Sequence, residues 1–460
     1  MGSFEYDEHT QVLEFGGMKL GIVDESTLSW EYAAKMRPSI QPLMVYCTHK
    51  ILAVVGADNP FTVPFVLRLF AAALSLLSIH LLLKAFQDKF TGEKARWNFF
   101  LLSFFLWFSV YHAVRFSSEN LSGRTFVIAF ALFFLWKEKN LKQHFFIGLI
   151  LGFSFLFRYQ TGFLIAGFMA WMLFINKTKW RELFSIMLGI LAVFALGVVI
   201  DYWFYNEWVL STWEYFRQNI ILDKASGFGR DPWYYYLVQI FNRGIPPFSL
   251  LYLLPVVLLF FKPKNVLLWI ILPFLLLHFY IPHKELRFFF PLIGFIPLLI
   301  MESGEIIKEK WNILHSKFFK VANVLFWIHN FVFLAIISLK SADAQVPMYE
   351  LIYNKYTEPT VIYYVEHNPY SRAREVYYYK RKNLEVRKVN SINEVKSLAD
   401  TTVLFATINT EEAKQMDATQ TLIYSALPNW LKHFNVFNWV ERTKFWKVYQ
   451  VDKKVEVNTK

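Results

Sequence analysis

The segments VLLWIILPFLLLHFYI (266–281), PHKELR (282–287) and FFFPLIGFIPLLIM (288–301) place charged side chains between two apolar runs. Both apolar runs are typical of membrane spans, so the turn between them is predicted to lie at a bilayer surface. Charge at such a place is costly and calls for a partner. A phosphate carried on a membrane lipid is a partner that Lys284 and Arg287 can bind. The alternative is a structural ion pair between Lys284 and Glu285 or a neighbouring loop charge.

Composition indicates a polytopic membrane protein. The 460 residues are 55% hydrophobic and 19% aromatic, above the roughly 45 to 50% apolar content of soluble domains. The net charge of +12 is concentrated in short loops beside apolar runs, where membrane topology and anionic lipids explain it better than nucleic acid does. We therefore expect membrane lipids as partners and no nucleic acid. Cys47 is the only cysteine, which excludes an intramolecular disulfide.

Apolar runs separated by charged loops predict about ten spans within a domain of residues 1–340. The candidate spans are 61–83, 97–114, 120–136, 145–157, 162–175, 182–202, 236–261, 266–281, 288–301 and 321–339. Several are shorter than the roughly 20 residues that a helix needs to cross. The region 145–175, interrupted at 158–160, is interpreted as two short helices with their ends at one face or as one kinked helix. Close helix packing in that region is expected at its glycines, Gly148, Gly152, Gly162 and Gly167.

Basic residues in alternate loops predict the orientation of the chain in the membrane. The predicted cytoplasmic loops hold Lys84, Lys89, Lys94, Arg96, Lys137, Lys139, Lys142, Lys177, Lys179, Arg181, Lys262, Lys264, Lys308, Lys310, Lys317 and Lys320. The opposite, outer face holds residues 1–60, 115–119, 158–161, 203–235, 282–287 and the tail from 340. Short Lys-rich loops favour a bacterial inner membrane with a periplasmic outer face, and the endoplasmic reticulum membrane is the alternative.

The outer placement of residues 1–60 requires an explanation, because Met1 to Gln11 has neither the basic nor the apolar region of a signal peptide. One possibility is that the chain inserts with its N-terminus outside. The other, which we favour, is that a first helix is missing from the sequence.

A change in composition near residue 345 predicts a small α/β domain, residues 345–460, on the outer face. Runs of β-branched and aromatic residues are typical of strands. The predicted strands are Thr360–Val365, Val376–Tyr379, Leu384–Val389, Thr402–Thr407 and Lys444–Val451, and Ile392–Ala399 is predicted to be a short helix.

An acidic pair, Asp7 and Glu8, lies near the start of a predicted helix, with Glu14 close behind. A carboxylate placed there can accept a proton from a sugar hydroxyl as it attacks an activated donor, which is general-base catalysis. The alternative is that Asp7 caps the helix, because Asp is common at that position. Taken alone, the pattern favours the cap.

Two further stretches of the outer face combine aromatic and charged residues. Trp30, Glu31 and Arg37 suit sugar binding, although an amphipathic helix at the membrane interface is favoured when this stretch is taken alone. The loop from Asp201 to Tyr234 contains glycines and many aromatic residues. Outer-face loops are often aromatic, so this loop is a weak signal by itself.

Together these motifs resemble those of the glycosyltransferase family 22 mannosyltransferases. These lipid-phosphate-mannose dependent enzymes extend N-glycan precursors and glycosylphosphatidylinositol anchors, and they have bacterial relatives. The family's His-Lys-Glu-x-Arg-Phe turn with a proline close behind is similar to residues 283–288 with Pro291. Its acidic pair and aromatic Trp-Glu stretch are similar to Asp7, Glu8, Glu14, Trp30, Glu31 and Arg37. Its luminal loop, with Asp-x-x-x-Tyr, a later glycine and Pro-Trp-x-x-Tyr, is similar to Asp201, Tyr205, Gly229, Pro232, Trp233 and Tyr236.

The resemblance implies an all-α polytopic membrane protein with the GT-C glycosyltransferase fold, to which the small C-terminal α/β domain is added. It also implies inverting transfer of mannose from a dolichyl-type or other polyprenyl phosphate mannose to a glycan or glycolipid acceptor. The product would be an α-mannoside formed at the outer membrane face. No metal, other cofactor or nucleotide sugar is expected.

The resemblance also assigns roles to residues. Asp7, with Glu8 as its competitor, would deprotonate the acceptor hydroxyl. Lys284 and Arg287 would neutralise the departing lipid phosphate, and His283 would either bind that phosphate or orient Glu285. The substrate-binding candidates are Trp30, Glu31, Arg37, Arg158, Asp201, Tyr205, Trp233 and Glu285. Of these, Arg37 and Arg158 are candidates for phosphate or pyrophosphate binding, with a structural salt bridge as an equal alternative.

The sequence departs from the family pattern in three places. Leu286 occupies a position where the family often has a second acid, the expected first helix is missing, and the resemblance does not assign the α/β tail. Three other functions therefore stay open: a GT-C enzyme with another polyprenyl-linked sugar or a protein acceptor, a transporter, and an inactive scaffold. A transporter would normally show inverted repeats and helices broken at the membrane midplane.

Overall fold

The structure is a computed structural model that describes residues 8–311, 316–339, 343, 345–371, 375–397, 403–417, 420–427, 433 and 435–451. The chain divides into two compact units. The larger unit comprises residues 29–48 and 66–340, and the smaller unit comprises residues 1–28, 49–65 and 341–460. The smaller unit thus takes in two N-terminal segments that the sequence assigned to the domain of residues 1–340.

Helices dominate the described chain up to residue 339. The α-helices of four or more residues are Phe15–Lys19, Trp30–Ala33, Ile40–Val54, Thr62–Phe86, Glu93–Phe105, Trp107–Ala113, Ser118–Leu135, Leu141–Phe157, Gly162–Phe174, Trp180–Tyr205, Ser211–Phe216, Tyr235–Arg243, Leu250–Leu258, Val266–Tyr280, Ile296–Lys310 and Lys317–Leu339. A π-helix, His9–Glu14, precedes the first, and a 3-10 helix, Leu286–Phe295, precedes Ile296–Lys310. The predicted all-α polytopic architecture is confirmed.

Four helical segments of the described chain are long and apolar enough to cross a membrane: Thr62–Lys89, Trp180–Tyr205, Leu286–Lys310 and Lys317–Leu339. The pair Leu250–Phe261 and Val266–Tyr280 is bent by 117° and makes a fifth span if it is counted as one. Leu141–Phe157 and Tyr159–Phe174 are apolar but shorter. The interruption at 158–160 therefore separates two short helices, which is the first of the two interpretations made from the sequence.

The predicted span 97–114 is broken at Leu106, whose backbone is extended (φ −63°, ψ 119°). Asn330, from the helix Lys317–Leu339, satisfies the backbone groups that the break frees. Its Oδ1 accepts from Trp107 N at 3.1 Å, and its Nδ2 donates to Phe105 O at 2.6 Å. Asn330 is fully buried. In an apolar environment such freed groups need a partner, and a side chain of a neighbouring helix supplies it.

Glycines let the helices Leu141–Phe157 and Trp180–Tyr205 pack backbone to backbone. A Cβ at Gly148 would lie 2.1 Å from Ile186 O, and one at Gly152 would lie 2.7 Å from Val193 Cβ. A Cβ at Gly167 would lie 2.1 Å from Trp269 O, in a second helix pair. The predicted close helix packing is confirmed at Gly148, Gly152 and Gly167, whereas a Cβ at Gly162 would meet only the ring of Phe155, at 3.1 Å. The contacts advance in the same direction along both helices of the first pair, so their C-terminal ends lie side by side.

The smaller unit contains a five-stranded sheet: β1 Thr360–Tyr364, β2 Leu384–Lys388, β3 Val403–Thr407, β4 Thr421–Ser425 and β5 Lys447–Val451. The strand order is β2-β1-β3-β5-β4. Strands β2, β1 and β3 are parallel, and β5 is antiparallel to both β3 and β4. The helices of this region are Val346–Lys355, Ile392–Ser397, Thr410–Asp417 and Trp439–Arg442. The predicted C-terminal α/β fold is confirmed.

One predicted strand is wrong. Val376–Tyr379 is not a strand, because its backbone N–H groups bind a carboxylate rather than a neighbouring strand. Tyr377 N and Tyr378 N donate to Glu14 Oε1 at 2.9 and 3.1 Å. The sequence also missed β4 and the helix Thr410–Asp417.

Candidate active site

The charged turn of the larger unit is held together by Glu285. Arg287 donates to both of its carboxylate oxygens, from Nε at 2.7 Å and from Nη2 at 2.8 Å, and His283 Nε2 lies 3.1 Å from Oε1. Burial acts to raise the pKa of the Glu285 carboxyl, but the hydrogen bonds and charges of His283 and Arg287 outweigh it and lower the pKa to about 2. Glu285 is therefore an anion that fixes the side chains of His283 and Arg287 in position.

Lys284 is buried, with 3% of its surface exposed, and its ammonium group binds backbone carbonyl oxygens. Nζ donates to Asp231 O at 3.2 Å, to Pro282 O at 3.4 Å and to Ile281 O. Burial lowers the pKa of Lys284, and the nearby Asp231 opposes that change. In this arrangement Lys284 ties the turn to the 203–235 loop, and it would have to exchange a carbonyl to reach a phosphate.

Arg158 lies at the end of the short helix Leu141–Phe157, where the backbone becomes extended (φ −156°, ψ 114°). Its Nη1 donates to Glu119 Oε1 at 2.7 Å and to Ser118 Oγ at 3.1 Å. Its guanidinium carbon lies 5.1 Å from the ring centre of Phe288, and that of Arg287 lies 5.6 Å from the same centre. The helix break thus brings a second arginine to the charged turn.

Asp201 is 3% exposed and joins three segments that the sequence predicts to lie at the outer face. Its Oδ1 accepts from Ser39 N at 3.0 Å, and its Oδ2 accepts from Ser211 Oγ. Ser211 Oγ also shares a 2.5 Å hydrogen bond with the hydroxyl of Tyr159, the residue after Arg158. Parallel packing of the two glycine-bearing helices explains this meeting, because it aligns their C-terminal ends.

The Trp30 to Arg37 stretch lies against the same region. Arg37 donates to Glu31 Oε1 from Nη2 at 2.5 Å and from Nε at 3.2 Å, and Tyr205 OH donates to Arg37 O at 2.9 Å. The ring of Phe228 stacks on Trp30 at 6.1 Å and lies 5.9 Å from His283.

The structure therefore brings together three of the four motifs found in the sequence: the Trp30 stretch, the Asp201 loop and the His283 turn. Trp233 is 60% exposed and packs against Phe279 at 6.1 Å. Of the acidic pair, Asp7 lies outside the described residues, and Glu8 belongs to the smaller unit.

Several residues near the turn escaped the sequence analysis, notably Glu119 and His278, and Asp231 was recognised only as part of the aromatic loop. The available signal was a polar residue within or beside an apolar run, as for His278 in 266–281. Buried atoms around the turn without a hydrogen-bond partner among the described residues include Arg158 Nε, His278 Nε2 and His283 Nδ1. Buried polar atoms normally have partners, so these atoms suit a polar ligand.

Comparison with known proteins relates the chain to one family. A model of the Alg9-like mannosyltransferase family matches residues 2–376. The chain is 26% identical to GPI alpha-1,2-mannosyltransferase 3 of Bos taurus over 344 residues, which are 70% of this chain and 59% of the relative. It is 29% identical to GPI mannosyltransferase 3 of Yarrowia lipolytica over 294 residues, which are 61% and 54% of the two chains. The chain spans less than two thirds of the length of these relatives.

Solved structures of ArnT from Cupriavidus metallidurans are also similar. The apo form has a TM-score of 0.48 and 11% sequence identity, and the match covers 96% of this chain and 93% of the ArnT chain. The form bound to undecaprenyl phosphate has a TM-score of 0.47 and 12% sequence identity, and the match covers 98% of this chain and 94% of the ArnT chain. Similarity at this level assigns neither a ligand nor a reaction.

Proposed function

Because the chain belongs to the Alg9-like mannosyltransferase family, as its motifs indicated, we propose that it is an inverting mannosyltransferase of the GT-C type. Its donor would be mannose on a polyprenyl phosphate, and its acceptor a glycan or glycolipid. The hydroxyl oxygen of the acceptor attacks the anomeric carbon, and the bond from that carbon to the phosphate oxygen breaks. The polyprenyl phosphate leaves with the bonding electrons, and the product is an α-mannoside.

The observation that carries this proposal is the pair of arginines over Phe288. Their guanidinium carbons lie 5.1 and 5.6 Å from one ring, directly after the apolar helix Val266–Tyr280. A lipid-linked phosphate has its head group at the bilayer surface, where the sequence predicts this turn to lie, and guanidinium groups bind phosphate oxygens bidentately. Negative charge grows on the leaving phosphate as the bond breaks, so fixed cations stabilise the transition state more than the ground state.

Each residue of the turn has a distinct task in this proposal. Arg287 and His283 bind the phosphate while Glu285 holds them in position. Lys284 contributes by anchoring the turn to Asp231, and it joins the phosphate if it exchanges a carbonyl partner. We propose that these cations supply the charge stabilisation that a metal provides in other transferases, so the reaction needs no metal.

The proton of the acceptor hydroxyl would pass to Asp7 or, as its competitor, Glu8. The acceptor itself would be bound by the Trp30 stretch and the Asp201 loop, where Trp30, Glu31, Arg37, Asp201, Tyr205 and Trp233 offer aromatic faces, carboxylates and donors. We propose the outer face of a bacterial inner membrane as the location.

The test is mannose transfer from synthetic polyprenyl phosphate mannose by the purified full chain, with EDTA present and a panel of mannosyl and glycolipid acceptors. Arg287→Ala and Asp7→Asn are expected to lose transfer while remaining folded. Arg181→Ala, which removes an exposed arginine of a predicted cytoplasmic loop, is the matched control and is expected to retain it.

Each contrary outcome has a definite meaning. Activity that survives Asp7→Asn but not Glu8→Gln moves the base to Glu8. Activity that survives Arg287→Ala overturns the phosphate site. Turnover of another polyprenyl-linked sugar instead of mannose identifies a different GT-C enzyme, and no turnover of any such donor favours a transporter.

A further inference from the structure

The smaller unit has a cavity of about 540 Å³ at one edge of its sheet. Six of its lining residues carry the argument: Tyr364, Glu366, Asn368, Lys388, Ile408 and Trp446. The volume lies within the range of roughly 300 to 1,000 Å³ that is typical of small-ligand sites. These residues belong to the extramembrane α/β fold, and neither the family motifs nor the proposed reaction uses them.

The cavity lies at the carboxyl ends of the three parallel strands. Tyr364 and Lys388 are the last residues of β1 and β2 and are paired in register. Ile408 follows Thr407, the last residue of β3, and Thr407 pairs with Lys447, which follows Trp446. Ligands of α/β proteins bind outside the carboxyl ends of parallel strands, so this edge is where a binding site is expected.

The surroundings of the cavity disfavour a phosphate or nucleotide. The sequence has no glycine after Gly304, so a glycine-rich phosphate loop is excluded. Glu366, in the loop after β1, would repel an anion and so offset the attraction of Lys388. The helix Thr410–Asp417 is already capped, because Glu411 N donates to Asn409 Oδ1 at 2.9 Å.

The first turn of the helix Thr410–Asp417 also disfavours a bound anion. It carries Glu411 and Glu412, and Glu412 accepts from the hydroxyl of Thr407 at 2.6 Å. Negative charge near a helix N-terminus occupies the position that a bound anion would take.

The lining groups suit a neutral saccharide. Trp446 is half-buried and offers an indole face on which the C–H face of a sugar ring can stack. Around it are an amide, a carboxylate and an ammonium group, from Asn368, Glu366 and Lys388, which together donate to and accept from sugar hydroxyls. Asn368 Oδ1 accepts from Tyr370 N at 2.8 Å, which fixes the amide in position.

We propose that this cavity, called here the sheet-edge pocket, binds a neutral saccharide with a sugar ring stacked on Trp446. The pocket would hold a glycan by its hydroxyl groups and ring faces, without forming or breaking a covalent bond. The proposal does not depend on the transfer reaction, since binding at the pocket can be measured whether or not the chain transfers mannose.

The test is saturation-transfer NMR on the detergent-solubilised full chain, with α-1,2-mannobiose and maltose as separate probes and inorganic phosphate as a third. At least one disaccharide is expected to bind. Trp446→Ala is expected to weaken binding about tenfold, which corresponds to about 1.4 kcal/mol, because it removes the aromatic face on which the sugar ring stacks. Asn368→Ala gives a second variant of the pocket in case Trp446→Ala fails to fold.

One control separates the pocket from other exposed aromatic residues. Phe437→Ala removes an aromatic side chain that is 84% exposed and does not line the pocket, and it is expected to leave binding unchanged. Loss of binding in Phe437→Ala, unchanged binding in both pocket variants, or binding of phosphate but of neither disaccharide would overturn the proposal.

Discussion

Arg158 Nη1 donates to Glu119 Oε1 at 2.7 Å, and both side chains are almost completely buried, with 7% and 6% of their surface exposed. The pair links the end of one helix to the first turn of another, Ser118–Leu135. Removing one member of a buried pair leaves an uncompensated charge, which costs far more than losing an exposed pair.

Glu119→Gln is expected to lower the free energy of unfolding by about 3 to 5 kcal/mol. The double variant Glu119→Gln with Arg158→Met should recover most of that loss, because no buried charge then remains unpaired. Unfolding by denaturant in detergent measures both. Glu214→Gln, which removes a more exposed pair with Arg217, is the control and should cost under about 1 kcal/mol. Equal losses in Glu119→Gln and Glu214→Gln would show that the buried pair is not structural.

The same double variant separates stability from chemistry. If Arg158 also binds the donor phosphate, the double variant should fold nearly as well as the original chain and still transfer mannose far more slowly. Restored transfer would limit Arg158 to a structural role.

The second prediction concerns the pH dependence of stability that follows from the pKa of Glu285. Its pKa is lowered to about 2 from an ordinary value of 4.5, so ionised Glu285 stabilises the folded chain above pH 4.5 and loses this effect as the pH falls through 2. The stability difference between Glu285 and Glu285→Gln should therefore be constant from about pH 5 to about pH 8 and shrink below 4.5. Thermal unfolding of both chains across that range checks this, and His283→Gln, which removes one of the two groups that lower the pKa of Glu285, should reduce the pH dependence. A difference that stays constant below pH 4.5 would contradict the lowered pKa.

The third prediction concerns the loss of stability when Asn330 is replaced. Asn330→Leu would leave Trp107 N and Phe105 O without their partner in an apolar environment, at a cost of about 2 to 4 kcal/mol. Asn323→Leu, at a partly exposed position of the same helix, is the control and is expected to be nearly neutral. Denaturant unfolding measures both losses of stability. Equal losses in Asn330→Leu and Asn323→Leu would mean that other groups bind the N–H and C=O groups freed at the helix break.

The fourth prediction concerns the close helix packing at Gly148. Gly148→Ala would place a Cβ 2.1 Å from Ile186 O, which must push the two helices apart and cost about 1 to 3 kcal/mol. Gly304→Ala is the matched control, since a Cβ there meets nothing within 4 Å and a helical alanine is favoured by about 1 kcal/mol. Tm should therefore fall in the first variant and stay level or rise in the second. A Tm in Gly148→Ala at or above that of the unsubstituted chain would contradict the close packing.

The sequence predicted most of the helices because long apolar runs are the sequence signal of membrane spans. It located the charged turn for the same reason, since charge between two such runs stands out. It also predicted four of the five strands, and it failed at Val376–Tyr379. There the tyrosines satisfy a strand pattern, but their backbone N–H groups go to Glu14, which lies more than 360 residues earlier in the chain.

The sequence by itself therefore determined the class of protein, the position of the charged turn and the family. These follow from composition, periodicity and motifs, which are local or ordered along the chain. Only the tertiary structure decided the partners: Arg158 with Glu119, Lys284 with Asp231, Asp201 with Ser39 and Ser211, and Glu14 with the tyrosines. Buried polar groups must find a partner wherever packing brings one, and the helix packing that does so depends on close contacts, such as that of Gly148 with Ile186, which no local pattern records.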